Sequence, residues 1–298
     1  MRRVNYAAID IGSNAVRLLI KRVNPDSKDE VLTKQMLVRV PLRLGQDSFT
    51  IGEISPRNAK NLLRVIRSFR QLMKVFEVVD YRACATSAMR DARNSKEVTW
   101  NIFKKTGIQI DVISGQEEAR IVYDNHIEKM LNRDKNYIYV DVGGGSTEVI
   151  LISRGKLKYS KSYNVGTVRM LNQFVRPEDL EMMHHEISNA AQLYPDLMII
   201  GSGGNINKLY QLVNEKDTTT STFTAEALRK LNEQMKMYSP EERRKVFRLK
   251  PDRAEVIVPA ADIFLDIATH CNATRIMVPT IGLADGIIES LYARDFEK

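Results

Sequence analysis

The sequence predicts an α/β fold of two similar domains, and three features predict it. A strand, an aspartate at its end, a turn of small residues and a second strand occupy residues 4–20, and the same unit returns at 137–152. A further glycine turn, Met198-Ile-Ile-Gly201-Ser-Gly203-Gly204-Asn205-Ile-Asn207-Lys208, joins a short strand to a helix. The 298 residues, 43% hydrophobic and 28% charged, are enough for two domains with real cores.

The copy at 137–152 carries the clearer chemistry. Tyr137 to Val142 is rich in β-formers. Gly143, Gly144 and Gly145 leave backbone amides uncovered by side chains, so a phosphate oxygen can approach closely. Ser146 and Thr147 add hydroxyl donors. Asp141 ends the first strand and Glu148 opens the second, so two carboxylates flank the turn. They would repel a phosphate unless a divalent cation sat between them, and oxygen-only ligands suit Mg²⁺. Alone, the three glycines would equally describe a tight β-hairpin.

The first copy decides between these readings. Shifted by 131 positions, Asp10 falls on Asp141, Gly12 on Gly143, Asn14 on Gly145 and Arg17 on Glu148, with Ser13 between the small residues. A repeat of this spacing implies two domains, taken as residues 1–124 and 125–298. Two such hairpins facing each other across a cleft would clamp one polyphosphate. The amides of Gly203, Gly204 and Asn205 at a helix start would add a third anion site.

The elements follow in order. Residues 4–23 form the first hairpin, 24–29 a turn, 31–40 a third strand and 42–52 a loop. Ser55 and Pro56 start a helix whose apolar spacing runs from Ala59 to Phe76, with Arg64, Arg67 and Arg70 on its solvent face. A strand at 81–86 leads into Ser87 and a helical turn carrying Arg90. The Arg90 guanidinium is a planar fork suited to phosphate, or equally to an ion pair. Ser95 caps a helix that Gly107 ends, and 108–113 is a strand. Ser114 and Glu117 form a capping box at the head of a helix reaching about Leu131, which leaves Glu118, about 100° further round, available to face a substrate.

After the second hairpin, 153–156 is a turn, 157–165 a strand, and Gly166 begins a helix. The helix at 177–194 carries His184 and His185, which diverge as adjacent helical residues and cannot share a metal. A polar loop at 217–221, helices from Thr224 and Ser239, a long helix at 253–270, a strand at 275–278 and a helix at 282–296 complete the chain.

Composition narrows the function classes. No apolar stretch approaches the ~20 residues of a membrane span. Cys84 and Cys271 form no CxxC pair, which fits a reducing cytoplasm. Residues 1–125 hold 22 Lys+Arg against 14 Asp+Glu, and the remainder holds 23 of each, so the whole net charge of +8 lies in the first half. That excess suits attraction of a polyanion as well as a solvated basic surface. Nucleic acid is not the expected partner, because aromatics are few and no nucleic-acid motif is present.

The stretches DIGSNAVRLLI, DVGGGSTEV and GSGG are similar to the phosphate motifs of the actin-like ATPase superfamily. With TSAMRDARN (86–94) and ISGQEEAR (113–120), the chain resembles the exopolyphosphatase and guanosine pentaphosphate phosphohydrolase (Ppx/GppA) family from residue 4 to about 290. The resemblance implies two actin-like (ribonuclease H-like) domains with a cleft between them, the last helix, 283–298, returning to the first. It implies a hydrolase that releases terminal phosphate from inorganic polyphosphate or guanosine pentaphosphate, leaving a shortened polymer or guanosine tetraphosphate. Glu118 would activate water and Arg90 would contact phosphate. Gly12, Ser13, Asn14, Arg17, Ser87, residues 143–147 and residues 203–205 would bind phosphate, and Asp141, Glu148 and Asp10 would hold Mg²⁺ or another divalent cation. A homodimer is a further family expectation. Asn205 stands where the family usually has a small hydroxyl residue. Longer members carry extra C-terminal helical domains, so short chains or a nucleotide polyphosphate are the expected substrates. A kinase of the same superfamily would need an acceptor pocket and no water-activating glutamate, and a sensor that only binds would need no base.

Overall fold

The computed structural model describes residues 3–24, 31–123, 131–279 and 282–296. The chain divides into two compact units, Met1–His126 with Gly282–Lys298, and Ile127–Ile281. Each has its own apolar core.

The first unit contains β1 (Asn5–Ile11), β2 (Val16–Val23), β3 (Leu32–Val40), β4 (Val78–Ala85) and β5 (Asp111–Val112), in the sheet order β3-β2-β1-β4-β5. The β3–β2 and β2–β1 pairs are antiparallel, and β1–β4 and β4–β5 are parallel. Every residue of β1 is buried, which explains its apolar run and leaves Asp10 as its one charged residue. Only Asp111 and Val112 of the strand expected at 108–113 pair with β4. Ile108 and Ile110 are buried in the core without joining the ladder.

The loop expected at 42–52 is instead a helix, α1 (Leu44–Ile51). Its glycine, serine and threonine are poor helix formers, and contact with the first hairpin turn supplies what propensity lacks. Then come α2 (Pro56–Val75), α3 (Ser87–Asp91), α4 (Ser95–Thr106) and α5 (Gly115–Val122). Ser55 caps α2 by accepting from the Asn58 amide at 3.3 Å. Leu62, Leu63, Ile66, Phe69 and Met73 form its buried stripe, each such side chain contributing roughly 1.5–3 kcal/mol, while Arg64, Arg67 and Arg70 are exposed. Asn94, not Ser95, is the residue preceding α4, and Gly107 ends it at φ 71°. The part of the helix expected beyond residue 123 and before 131 lies outside the described residues.

The second unit contains β6 (Asn136–Val142), β7 (Thr147–Ser153), β8 (Lys156–Tyr163), β9 (Met198–Ser202), β10 (Lys216–Asp217), β11 (Thr222–Thr224) and β12 (Arg275–Met277), ordered β10-β11-β12-β9-β6-β7-β8. Within it, β8-β7-β6-β9-β12 repeats the order and strand senses of the first unit's whole sheet. The sequence repeat thus marks only the most similar part of a larger structural repeat. The polar loop expected at 217–221 is the connection of a small hairpin, in which the Asp217 carboxylate accepts from the amides of Thr219 and Thr220.

Its helices are α6 (Thr167–Leu171), α7 (Pro177–Leu193), α8 (Gly204–Leu212), α9 (Ala225–Lys236), α10 (Pro240–Val246) and α11 (Pro251–His270). Ser239 and Glu242 make a reciprocal capping box on α10. Ile257, Ala260, Ala261, Phe264 and Ile267 of α11 are wholly buried, which makes this helix a main support of the sheet.

The last helix, α12 (Leu283–Phe296), packs on β1 and α5 of the first unit. A Cβ at Gly286 would lie 2.5 Å from the Ile121 carbonyl oxygen, so glycine permits that approach. Lys21 to Asp285 at 2.7 Å, the Tyr6 hydroxyl to Asp295 at 2.6 Å and Arg294 to Asp80 at 2.6 Å fasten it. Among the described residues, no helix is long and apolar enough to cross a membrane.

Candidate active site

In the second unit the turn between β6 and β7 is closed by the Gly143 amide donating to the Ser146 carbonyl at 2.9 Å. Its carbonyls point one way. Gly143 O accepts from Thr167 N at 3.0 Å, Gly144 O from Val168 N at 2.8 Å, and Gly145 O from Arg169 Nε at 2.7 Å. Because a trans peptide sets each C=O opposite the following N–H, the amides of Gly144, Gly145 and Ser146 are aimed away from α6. Gly166 makes the grip possible, since a Cβ there would lie 2.6 Å from the Gly144 oxygen and the Ser146 nitrogen.

Asp141 and Glu148 are directly opposed across the β6–β7 ladder, so their side chains share one face. Glu148 is buried, and its Oε1 accepts from Ser146 Oγ at 2.6 Å and Ser162 Oγ at 2.9 Å. Asp141 Oδ2 lies 3.4 Å from Ser202 Oγ at the end of β9. Two opposed carboxylates surrounded by hydroxyls are a hard, oxygen-only donor set, and their mutual repulsion is relieved by a divalent cation. The donor chemistry therefore fits Mg²⁺. Thr147 turns elsewhere and bonds the Val165 carbonyl at 2.5 Å.

The third glycine turn lies beside this pair. Gly203 has φ 95°, and a Cβ on it would meet Asp141 Oδ1 at 2.6 Å. Gly204 begins α8, its carbonyl accepting from Arg253 of α11, and Asn205 is the next helical residue, half-buried.

The first unit repeats the device. The Gly12 amide donates to Ala15 O at 3.1 Å, and the carbonyls of Ser13 and Asn14 accept from Gly45 N at 2.8 Å and Arg43 N at 3.0 Å at the head of α1. By the same peptide geometry, the amides of Asn14 and Ala15 aim away from α1. Ser13 Oγ and Ser87 Oγ are 2.8 Å apart and buried. Asp10 opposes Arg17 in the ladder, and Arg17 Nη1 donates to its carboxylate at 2.8 Å.

Ser114 caps α5 by accepting from the Glu117 amide at 3.1 Å. The second half of the expected capping box is absent, because Glu117 accepts from Arg82 Nη2 at 2.7 Å. Burial opposes the charge of Arg82, but its hydrogen bonds to Glu117 and Asp111 raise its pKa. Glu118, the next residue, has a side chain 13% exposed that lies 3.9 Å from Arg90 Nη1. Arg90 also donates to the Ile113 carbonyl at 2.9 Å.

The first unit therefore gathers Ser13 with Ser87, Arg90 with Glu118, and Asp10 with Arg17. The second gathers Asp141, Glu148, residues 143–147 and Gly203. Sequence reasoning missed Ser162, Ser202, Gly166, Arg169 and Arg253. Of these, Gly166 was open to detection, as a glycine with no turn of its own to explain it.

The chain matches the Ppx/GppA phosphatase family over residues 27–295 and belongs to it. Its α/β fold matches the two-lobed, actin-like architecture of that family. An exopolyphosphatase from Cytophaga hutchinsonii, 22% identical, superposes over 97% of both chains with a TM-score of 0.82. A Haemophilus influenzae protein provisionally named an exopolyphosphatase is 24% identical over 96% of this chain and 90% of its own. A bifunctional 3-dehydroquinate synthase/phosphatase of Fusobacterium nucleatum is 31% identical over 56% of this chain, which spans only 26% of that relative.

Proposed function

We propose that this chain hydrolyses phosphoanhydride bonds, releasing terminal phosphate from inorganic polyphosphate or guanosine pentaphosphate. The observation that carries the reading is the pair of hairpin turns, each with its carbonyls bonded to a helix and its following amides aimed the other way. Such amides are anion ligands, and a family of phosphatases supplies the anion.

In this reading the amides of Asn14 and Ala15 and of Gly144, Gly145 and Ser146, with Ser13, Ser87 and the third turn at residues 203–205, hold phosphate oxygens, while the amides of Gly12 and Gly143 close their own turns. Arg90 adds a charged donor to the transferred phosphate. Glu118 takes the proton of the attacking water, with Arg90 3.9 Å away to place it beside the transferred phosphate. Asp141 and Glu148 would hold Mg²⁺ or another divalent cation, which when bound offsets charge on the transferred phosphate. Asp10 and Arg17 are alternatives at one place: Arg17 turning to a phosphate releases the Asp10 carboxylate to the cation. The cleft expected between the two domains belongs to this proposal, because it assigns groups of both units to one substrate.

The test is phosphate release with Mg²⁺ from short polyphosphate, long polyphosphate, guanosine pentaphosphate and ATP. Release from polyphosphate or the pentaphosphate well above ATP supports the reading and ranks its substrates. Tight binding with no release from any of them would replace it with a sensor, and phosphorylation of an acceptor with a kinase.

A further inference from the structure

Outside these turns, α7 and α11 bring a second group of ligand atoms together. The helices pack through Met183 and Ile187 on one side and Ile263 and Ile267 on the other, all buried in the same core. That packing sets His184 beside Asp266 and His270, which lie four residues apart on one face of α11. His184 Nε2 is 2.6 Å from Asp266 Oδ2, and His270 Nε2 is 3.6 Å from Asp266 Oδ1. The two imidazoles stack with centroids 3.9 Å apart and planes 17° from parallel. Ser188, one turn after His184, places its Oγ 3.2 Å from His270 Nδ1. His185, beside His184 in sequence, is exposed and takes no part.

One ligand atom from each of His184, Asp266 and His270 lies within 4.8 Å of the others. Donors bound at about 2.0–2.1 Å around a tetrahedral ion are roughly 3.3 Å apart, so small rotamer changes close this spacing onto one ion. All three side chains are partly exposed, which leaves a path for the ion and a coordination position for water. Two imidazole nitrogens and one carboxylate favour Zn²⁺ and its first-row neighbours over Mg²⁺.

We infer that His184, Asp266 and His270 form a transition-metal site of the Zn²⁺ class that clips α7 to α11. It is distinct from the oxygen-only set at Asp141 and Glu148, and it binds a different kind of cation. Its role is structural, since a cation joining residues 82 positions apart stabilises the folded second unit.

The test uses the full chain in excess Mg²⁺, which occupies hard oxygen sites, titrated with Zn²⁺ and separately with Co²⁺. The wild type should bind one ion per chain, give the visible absorption of nitrogen-ligated Co²⁺, and rise in Tm by roughly 5 °C at a hundredfold excess of Zn²⁺ over Kd. His184→Ala and His270→Ala should each weaken binding by about 100-fold and remove the Tm rise. Asp266→Asn keeps size and a hydrogen bond to His184, so it preserves the helix contact while weakening the ligand set. Equal binding by wild type and all variants, or no binding by folded wild type, would overturn the site and leave His184–Asp266 as a helix-to-helix hydrogen bond.

Discussion

The β1–β2 and β6–β7 hairpins share a backbone and differ in charge. Both close with a glycine amide on the carbonyl three residues on, and both have turn carbonyls held by a following helix. At the equivalent cross-strand position the first sets Arg17 against Asp10, whereas the second sets Glu148 against Asp141. The first turn is neutralised by its own chain. The second keeps two carboxylates on one face, the pair to which the proposed function assigns a cation. The same hairpin thus occurs twice, and a single exchange of charge, Arg17 against Glu148, separates the two copies.

The largest effect that sharpens this contrast comes from the aspartates. Asp141→Asn should lower phosphate release by about 10²–10³ and raise the Mg²⁺ concentration needed for half-activity. Asp10→Asn should raise that Mg²⁺ requirement much less, because Arg17 holds the Asp10 carboxylate until substrate binds. An equal change in both would break the distinction.

Next come the turn glycines. A Cβ at Gly143 would lie 3.0 Å from the Ser146 oxygen, and one at Gly12 would lie 3.3 Å from the Ala15 oxygen. Gly143→Ala should therefore cost roughly 1–2 kcal/mol of turn strain, read as about tenfold in KM, and Gly12→Ala less. The reverse ranking would mean that the amides of the second turn do not hold substrate.

A smaller effect falls on stability alone. Arg17→Gln leaves the buried Asp10 carboxylate without its guanidinium partner and should cost roughly 1–3 kcal/mol in denaturant unfolding, discounted for the partial exposure of Arg17. No comparable loss is expected from Glu148→Gln, which removes a charge from a crowded carboxylate pair.

The smallest is a chemical probe of each unit. Burial pushes the Cys84 thiol up to about 12 and the Cys271 thiol up to about 11. Their folded values stand above the ordinary ~8.5, so the stability each contributes is full below that pH and is lost as pH rises through the folded value. At pH 8 both thiols should resist alkylation until their unit opens, and the two labelling rates against denaturant report the units separately. Fast labelling of either in the folded chain would contradict its burial.

Both hairpins and most helices were legible in the sequence, because Asp10, Asp141 and the glycines sit at fixed offsets and the apolar stripes of α2 and α11 have clean helical spacing. The fold's repeat was only half legible: β4 and β9 match in topology without matching in motif. Helix α1 was hidden because Gly45, Ser48 and Thr50 give it no propensity, and its contacts with Ser13, Asn14 and α3 make it a helix. The supports of the site were hidden for the same reason. Ser162, Arg169 and Arg253 act at a distance in sequence from the turns they serve, and nothing local to them signals a partner, whereas Ser202 stands inside the GSGG stretch and only its bond to Asp141 was hidden. His184, Asp266 and His270 come together only through helix packing.

The proposed role of Glu118 as the base that activates water decides whether the chain is a hydrolase of this kind. It is tested most directly by phosphate release from the best substrate with Mg²⁺, and by binding of that substrate, for wild type and Glu118→Gln in parallel. The substitution keeps the side chain's size and removes its basicity. Substrate binding within a fewfold of wild type with the rate down about 10²–10⁴ is the result the account predicts. Release at an undiminished rate would contradict it.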